Sequence, residues 1–205
     1  MGKMERIYRR LSGKFGSHWI KVRFYKNKPN INGAKRLKNA RFCEATREAI
    51  LHPVLLDRES ISCPGAQYAF GWSTRYKNGL LQNCYDKRQT KKNTLESMLS
   101  QAHHFKKPFK YIGLNMQDQP DLIMSYMPPA EIMNLLKMYH NSQGVNLDVS
   151  LCAMMPICGG IAVRTYLDEK IGISFGCDDS RKYADMRREE LVVSIPKKLF
   201  NMFGA

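Results

Sequence analysis

Residues 111–144 read YIGLNMQDQPDLIMSYMPPAEIMNLLKMYHNSQG, and their hydrophobic pattern is the clearest indication of the fold class. Two mostly apolar runs, residues 111–116 and 122–126, are typical of strands. Pro128 and Pro129 follow, and apolar residues then recur at helical spacing as far as Gly144, which predicts a helix. Two strands followed at once by a helix favour an α/β domain.

Elements of the same kind flank this stretch on both sides. The apolar spacing predicts strands over residues 17–25, 54–56, 171–175 and 191–195. It predicts helices over residues 1–11, 43–51, 94–104 with Thr94 as N-cap, 156–168, 179–187 and 197–203, and one that begins at Pro64. Residues 73–93 are polar and basic and show no hydrophobic period.

The length and composition suit one domain. A chain of 205 residues that is 43% hydrophobic can bury a single ordinary core. We therefore predict a single α/β (or α+β) domain with a mixed sheet flanked by helices. Residues 1–41 form a basic helix-and-strand segment of that domain, and residues 42–205 form its α/β core.

The charge is strongly uneven along the chain. The formal net charge is +15, and residues 1–41 hold thirteen Lys and Arg against the single acid Glu5. Such a segment attracts phosphate or an acidic protein surface through its long-range field, although a solvated basic face is the simpler explanation. A redox or acidic protein partner is the partner we expect here, ahead of nucleic acid.

Neither a membrane span nor an exported protein is indicated. No run of about eighteen apolar residues is present, and the first residues lack the apolar core of a signal peptide. We expect a cytoplasmic protein. Its six cysteines are then reduced, and they act as buried residues, ligands or reactive groups rather than as disulfides.

Four of the cysteines fall where a helix is predicted to start: Cys43, Cys63, Cys158 and Cys177. The first turn of a helix presents unpaired amide hydrogens, which lower a thiol pKa and stabilise an anion. An anionic iron–sulfur unit needs such donors aimed at its sulfurs. The remaining two, Cys84 in a polar stretch and Cys152 in an apolar run, are weaker candidates.

The spacing of these cysteines helps to choose the metal. No CxxC pair is present, which disfavours a structural zinc site, whereas dispersed ligands can still converge at one edge of an α/β sheet. A [4Fe–4S] cluster is therefore the expected cofactor and zinc the lesser alternative. Reactive thiols and purely structural cysteines also remain open.

Other groups near these cysteines in sequence could contact a ligand. Arg164 and Arg181 could hold an anionic substrate through bidentate hydrogen bonds, although a surface ion pair is the common role of an arginine. Gly159 and Gly160 would allow a ligand to approach the backbone closely, and close helix packing would explain them equally well. Phosphate-binding loops, GxGxxG, HExxH and nucleophile elbows are absent from the sequence.

Three segments carry a family resemblance: LLDRESISCPGA at residues 55–66, ISFGC at 173–177 and EELVVSIP at 189–196. Together they resemble the archaeal and bacterial family named domain of unknown function 169, in order over residues 20–200. The resemblance implies a cytoplasmic protein of anaerobic prokaryotes with cysteines at the four positions above, and it implies no defined reaction. The heavier basic N-terminal segment and the basic stretch 73–93 depart from the family pattern and leave a member-specific binding role open.

Three functional hypotheses follow. The first is an iron–sulfur protein in which the four cysteines hold one cluster for redox or sulfur chemistry. The second is a basic module that docks on nucleic acid or an acidic protein, with structural cysteines. The third is a cofactor-free thiol enzyme in which Cys63 or Cys177 is the nucleophile and Arg181 positions an anionic substrate.

Overall fold

The computed structural model of the chain describes residues 2–30, 33–73, 92–149, 151–152 and 154–204. The strands in these residues are β1 Trp19–Tyr25, β2 Lys35–Arg36, β3 Val54–Leu56, β4 Tyr111–Leu114, β5 Leu122–Met127, β6 Gly172–Ser174 and β7 Leu191–Pro196. The helices are α1 Lys3–Phe15, α2 Phe42–Glu48, α3 Pro64–Ala69, α4 Lys92–Ser100, α5 Pro129–Gln143, α6 Arg164–Asp168, α7 Asp178–Tyr183 and α8 Asn201–Gly204. A π-helix, Cys158–Val163, runs into α6, and a 3-10 helix, Lys197–Leu199, precedes α8.

The strands form one mixed sheet, which confirms the predicted α/β fold. Its order is β2-β3-β4-β1-β5-β7-β6. The β2–β3 pair is parallel and the other neighbouring strands are antiparallel. Because β1 lies between β4 and β5, the basic N-terminal segment contributes a central strand to the sheet.

Alternating side chains along the strands divide the core between the two faces of the sheet. On β5, Leu122 and Met124 pack into one apolar cluster, whereas Ile123 and Met127 pack into the other. Helices α2, α3 and α4 and the π-helix cover the first face. Helices α1, α5 and α8 cover the second face, so the sheet is sandwiched between two helical layers.

Several predicted boundaries are wrong for identifiable reasons. Thr94 is not an N-cap, because α4 begins at Lys92 and encloses it. The helix predicted over residues 179–187 ends at Tyr183, since Asp185 adopts a left-handed backbone with φ of 47°. The helix predicted over 156–168 is divided into a π-helical and an α-helical part. Cys84 and most of the 73–93 stretch lie outside the described residues.

None of the described helices has the length and apolar character needed to cross a membrane.

Candidate functional site

The four candidate cysteines do lie at helix starts. Cys63 and Cys177 immediately precede α3 and α7. Cys43 is in the first turn of α2, and Cys158 is the first residue of the π-helix. Cys43 and Cys158 are buried in the core on the first face of the sheet, whereas Cys63 and Cys177 are partly accessible.

The fold brings the four thiols into one region. Cys158 is close enough to Cys43, Cys63 and Cys177 that a negative charge on any of these sulfurs would raise the pKa of Cys158. Cys43 in turn interacts with Cys63 and Cys177, and Cys63 interacts with Cys177. Every pair among the four is therefore within electrostatic range, although the four residues come from well-separated parts of the sequence.

Backbone amides of the helix starts are aimed at the sulfurs. The amide of Glu44 donates a hydrogen bond to the Cys43 sulfur, and that of Gly159 donates to the Cys158 sulfur. The Cys63 sulfur accepts from two amides, those of Gly65 and Ala66. At the start of α7 the Cys177 side chain faces the amide of Ser180, and the Ser180 hydroxyl accepts from the Cys177 amide at 2.8 Å.

Burial nevertheless has a larger effect than the amides on the pKa of three of these thiols, and it favours the protonated form. Desolvation raises the pKa of Cys43 to about 12. It also raises the pKa of Cys63 and of Cys158. Asp179 and Cys177 add to the rise at Cys63, and the other three thiols add to the rise at Cys158. The expectation that helix starts give lowered thiol pKa values is therefore wrong for these three, because the amide hydrogen bonds do not offset desolvation. Without a cation, these sulfurs are neutral thiols.

The spacing of the thiols bears on what they could hold. Within the described ranges, no group of three or more His, Cys, Asp or Glu side chains is placed to hold a metal ion. A cluster separates its thiolates more widely than one ion does, because iron and sulfide ions lie between them.

An arginine and a tyrosine join two of the helix starts. Arg41, just before α2, stacks its guanidinium 3.5 Å from the ring centroid of Tyr183 on α7. Its Nε lies 3.6 Å from a carboxylate oxygen of Asp179 in the first turn of α7. These contacts fix the helix that carries Cys43 against the helix that follows Cys177.

A second brace lies beneath Cys43. The buried Thr46 hydroxyl donates to the Cys43 carbonyl at 2.7 Å and lies 2.7 Å from the hydroxyl of Tyr126 on β5. Because the single Thr46 proton is used on the carbonyl, the tyrosine hydroxyl donates to Thr46. The guanidinium of Arg47 covers the Tyr126 ring at 3.8 Å from its centroid. Sequence reasoning missed this group, since no local pattern links Thr46 to Tyr126.

The two predicted substrate arginines have different surroundings. Arg181 donates to the Arg187 carbonyl at 2.6 Å and to the Phe175 carbonyl at 2.7 Å, so it braces the loops on both sides of α7. The Nε of Arg164 donates to Asp168 at 3.1 Å, and the side chain lines a cleft beside the π-helix. Anion binding by either residue stays a prediction.

Comparisons with known proteins identify a family and no individual relative. The model of the DUF169 family, described as uncharacterised ArCR, matches residues 15–203, which include all four cysteines. No curated protein and no solved structure matches the chain.

Proposed function

The chain belongs to the uncharacterised domain of unknown function 169 family, and from its own residues we propose that it is an iron–sulfur protein. In this proposal Cys43, Cys63, Cys158 and Cys177 hold one [4Fe–4S] cluster. The cluster serves redox or sulfur chemistry in the cytoplasm of an anaerobic prokaryote.

One observation carries the proposal: four thiols from four helix starts lie within electrostatic range of one another, and helix-start amides are directed at their sulfurs. Amide hydrogen bonds to sulfur stabilise the negative charge of a thiolate-bound cluster and tune its reduction potential. Neutral buried thiols have no such need of donors. A bound cation would also ionise the sulfurs that burial otherwise keeps protonated.

The partial exposure of two cysteines suits an exchange of electrons or sulfur with other molecules. Cys63 and Cys177 are partly accessible, whereas Cys43 and Cys158 are buried. A cluster at this position would have one side in the core and one side near solvent. Burial and exposure are among the features that set the potential of such a centre.

The test is metal analysis of protein purified without oxygen. We expect about four iron and four acid-labile sulfide per chain, as Cys-ligated cubane clusters contain, with the broad visible absorption of an iron–sulfur protein. Serine in place of any one of the four cysteines should lower the iron content. Cys152→Ser is the matched control, because Cys152 is exposed and outside the four. Stoichiometric zinc without iron would contradict the proposal.

A second candidate function rests on the face of α1. Ile7, Leu11 and Phe15 are buried in the second core, which leaves the basic side of the helix exposed to solvent. That side carries Arg6, Arg9, Arg10 and Lys14, of which Arg9 is paired with Glu5 at 3.0 Å. We propose that this face docks on an acidic protein surface. Since α1 lies on the opposite face of the sheet from the thiols, docking there would leave the thiol region uncovered.

Salt dependence tests this second function. Binding of the full chain to polyglutamate should weaken steeply as salt rises, because exposed charges are screened. Replacing Arg6, Arg10 and Lys14 together by Gln should remove most of that binding. Polyglutamate binding that does not change with salt or with these substitutions would contradict it. Tighter binding to RNA than to polyglutamate would instead favour a nucleic-acid partner.

A further inference from the structure

A cleft opens beside the π-helix, on the same side of the sheet as the thiols. Its volume is about 220 Å³, and its walls include the end of α4, the first turn of the π-helix, and Leu151, Cys152, Met154 and Met155. Since a water molecule occupies about 30 Å³ in the liquid, a ligand of about seven to ten non-hydrogen atoms would fill it.

The walls of the cleft have two chemical characters. Three thioether side chains, those of Met98, Met154 and Met155, line it together with the backbone of Gly160. Thioethers are polarizable and adapt to apolar or sulfur-containing groups. The cationic side chain of Arg164 and the imidazole of His103 also line the cleft. These two groups both contact Asp168, at 3.1 and 3.6 Å.

The backbone around the cleft has an uncommon conformation. Met155 has a left-handed backbone with φ of 53°. Its carbonyl accepts hydrogen bonds from the amides of both Gly159 and Gly160, at 2.8 and 3.0 Å, at the point where the π-helix begins. Left-handed non-glycine residues and π-helical turns are both concentrated at functional sites in proteins.

Met155 also separates the cleft from the thiols. A Cβ atom placed on Gly65 would lie 3.7 Å from the Met155 sulfur and 3.9 Å from the Cys63 sulfur. Both sulfurs are therefore within 4 Å of one point. The Sγ of Cys158, another of the four thiols, lies 3.7 Å from the Met155 carbonyl oxygen. One methionine thus forms both a wall of the cleft and a boundary of the thiol region.

We propose that this cleft is the substrate site of the thiol centre and that it binds a small organic carboxylate with an apolar or thioether body. The body packs on the three methionines, and the carboxylate lies at the end lined by Arg164 and His103. The substrate role rests on the proposed iron–sulfur function, whereas binding in the cleft does not. The Asp168 carboxylate already contacts Arg164 and His103 and therefore competes with the carboxylate of the ligand. We expect dissociation constants in the millimolar range, roughly −4 kcal/mol of binding free energy.

Three probes of nearly equal size test the ligand class. They are 3-(methylthio)propanoate, its carbon isostere pentanoate, and the uncharged 3-(methylthio)propan-1-ol. Each is titrated into anaerobically purified full-length protein and followed by ligand-detected NMR. Both carboxylates should bind in competition with one another, and the alcohol should bind at least about tenfold more weakly. Equal binding of the alcohol, or no binding of either carboxylate, would overturn the proposal.

Two substitutions locate the binding. A Cβ on Gly160 would make only ordinary contacts, 3.7 Å to the Cys152 Cβ and 3.9 Å to the Met155 carbonyl oxygen, so the fold should tolerate a side chain there. Because Gly160 lines the cleft, the side chain of Gly160→Val should fill it and abolish binding of both carboxylates. Gly160→Ala serves the same purpose if the valine variant does not fold. Arg164→Gln should retain binding but remove the preference for carboxylate over alcohol.

A distant glycine supplies the control. Gly13 in α1 has no atom within 4 Å of a Cβ placed on it, so Gly13→Val should bind all three probes as the unaltered protein does. Undiminished binding to the folded Gly160 variants would overturn the assignment of the cleft. Iron analysis of the same samples separates the two proposals. Cleft-dependent binding by a metal-free protein would refute the iron–sulfur function and the substrate role and support the binding site alone.

Discussion

The guanidinium of Arg41 lies 3.5 Å from the centroid of the Tyr183 ring, and this contact ties α2 to α7. The two helices bring Cys43 and Cys177 to the thiol region from distant parts of the chain. The contact between these two side chains is therefore one of the interactions that hold the site together.

Arg41→Ala should lower the free energy of unfolding by about 1 kcal/mol, since a stacked cation contributes about that much at a partly exposed site. Urea denaturation measures the loss. Lys182→Ala is the matched control, because the Lys182 ammonium lies 5.1 Å from the same ring and its removal should cost less than about 0.5 kcal/mol. Equal losses in the two variants would show that the stacking on Tyr183 has no special role.

The hydrogen bond between the Thr46 and Tyr126 hydroxyls can be tested by a double-mutant cycle. Thr46→Val keeps the shape of the buried side chain but leaves the Tyr126 hydroxyl without its partner, which should cost about 1–3 kcal/mol. Tyr126→Phe should cost less, about 0.5–1.5 kcal/mol. The double variant should be more stable than the sum of the two losses predicts, because the unpaired hydroxyl is then absent. Strict additivity in urea denaturation would contradict the hydrogen bond.

Adjacent glycines of the π-helix should respond differently to alanine. A Cβ on Gly159 would lie 3.0 Å from the His103 carbonyl oxygen, which is backbone and cannot rotate away. Gly159→Ala should therefore destabilise the protein by about 1–3 kcal/mol. Gly160→Ala should fall within about 1 kcal/mol of the unaltered protein, since its contacts are ordinary. Thermal unfolding of the pair checks this, and a reversed order would contradict the packing described.

Asp121 gives the stability a pH dependence. Desolvation raises the pKa of this carboxyl, despite hydrogen bonds at 2.8 Å from the Phe24 amide and from Arg23. The folded protein thus holds the proton more tightly than the unfolded chain. The contribution of Asp121 to stability is complete below the ordinary pKa of about 3.9 and is lost as pH rises through its folded pKa.

Asp121→Asn should remove this part of the pH profile. The stability of the unaltered protein relative to the variant should fall as pH rises above about 4 and become constant once the folded carboxyl is ionised. Urea denaturation of both proteins across a pH series gives the difference directly. A difference that rises with pH would mean that the Arg23 ion pair outweighs burial.

Local patterns were enough to predict most of the fold. Strands β4 and β5 and helix α5 were predictable from the strong periodicity of residues 111–144. The positions of Cys63 and Cys177 just before helices were predictable from the proline that follows Cys63 and the acidic residues that follow Cys177. The convergence of the thiols could not be predicted. It depends on which face of the sheet each helix covers, and that is set by pairing between distant strands.

The direction of the thiol pKa shifts was missed for a related reason. A helix start is visible in sequence, whereas the burial of Cys43 and Cys158 results from packing against several other elements. The π-helix was missed because its first turn depends on the left-handed backbone of Met155, a residue type that gives no local signal for it.

The order of the strands has a consequence for biosynthesis. Cys43 and Cys63 leave the ribosome long before Cys177, and β7, which pairs with the central β5, is made later still. The sheet cannot form completely until β7 has been synthesised. If the thiols hold a cluster as we propose, iron and sulfide would be loaded only after β7 has been synthesised, and Cys43 and Cys63 would remain without the other two ligands until then.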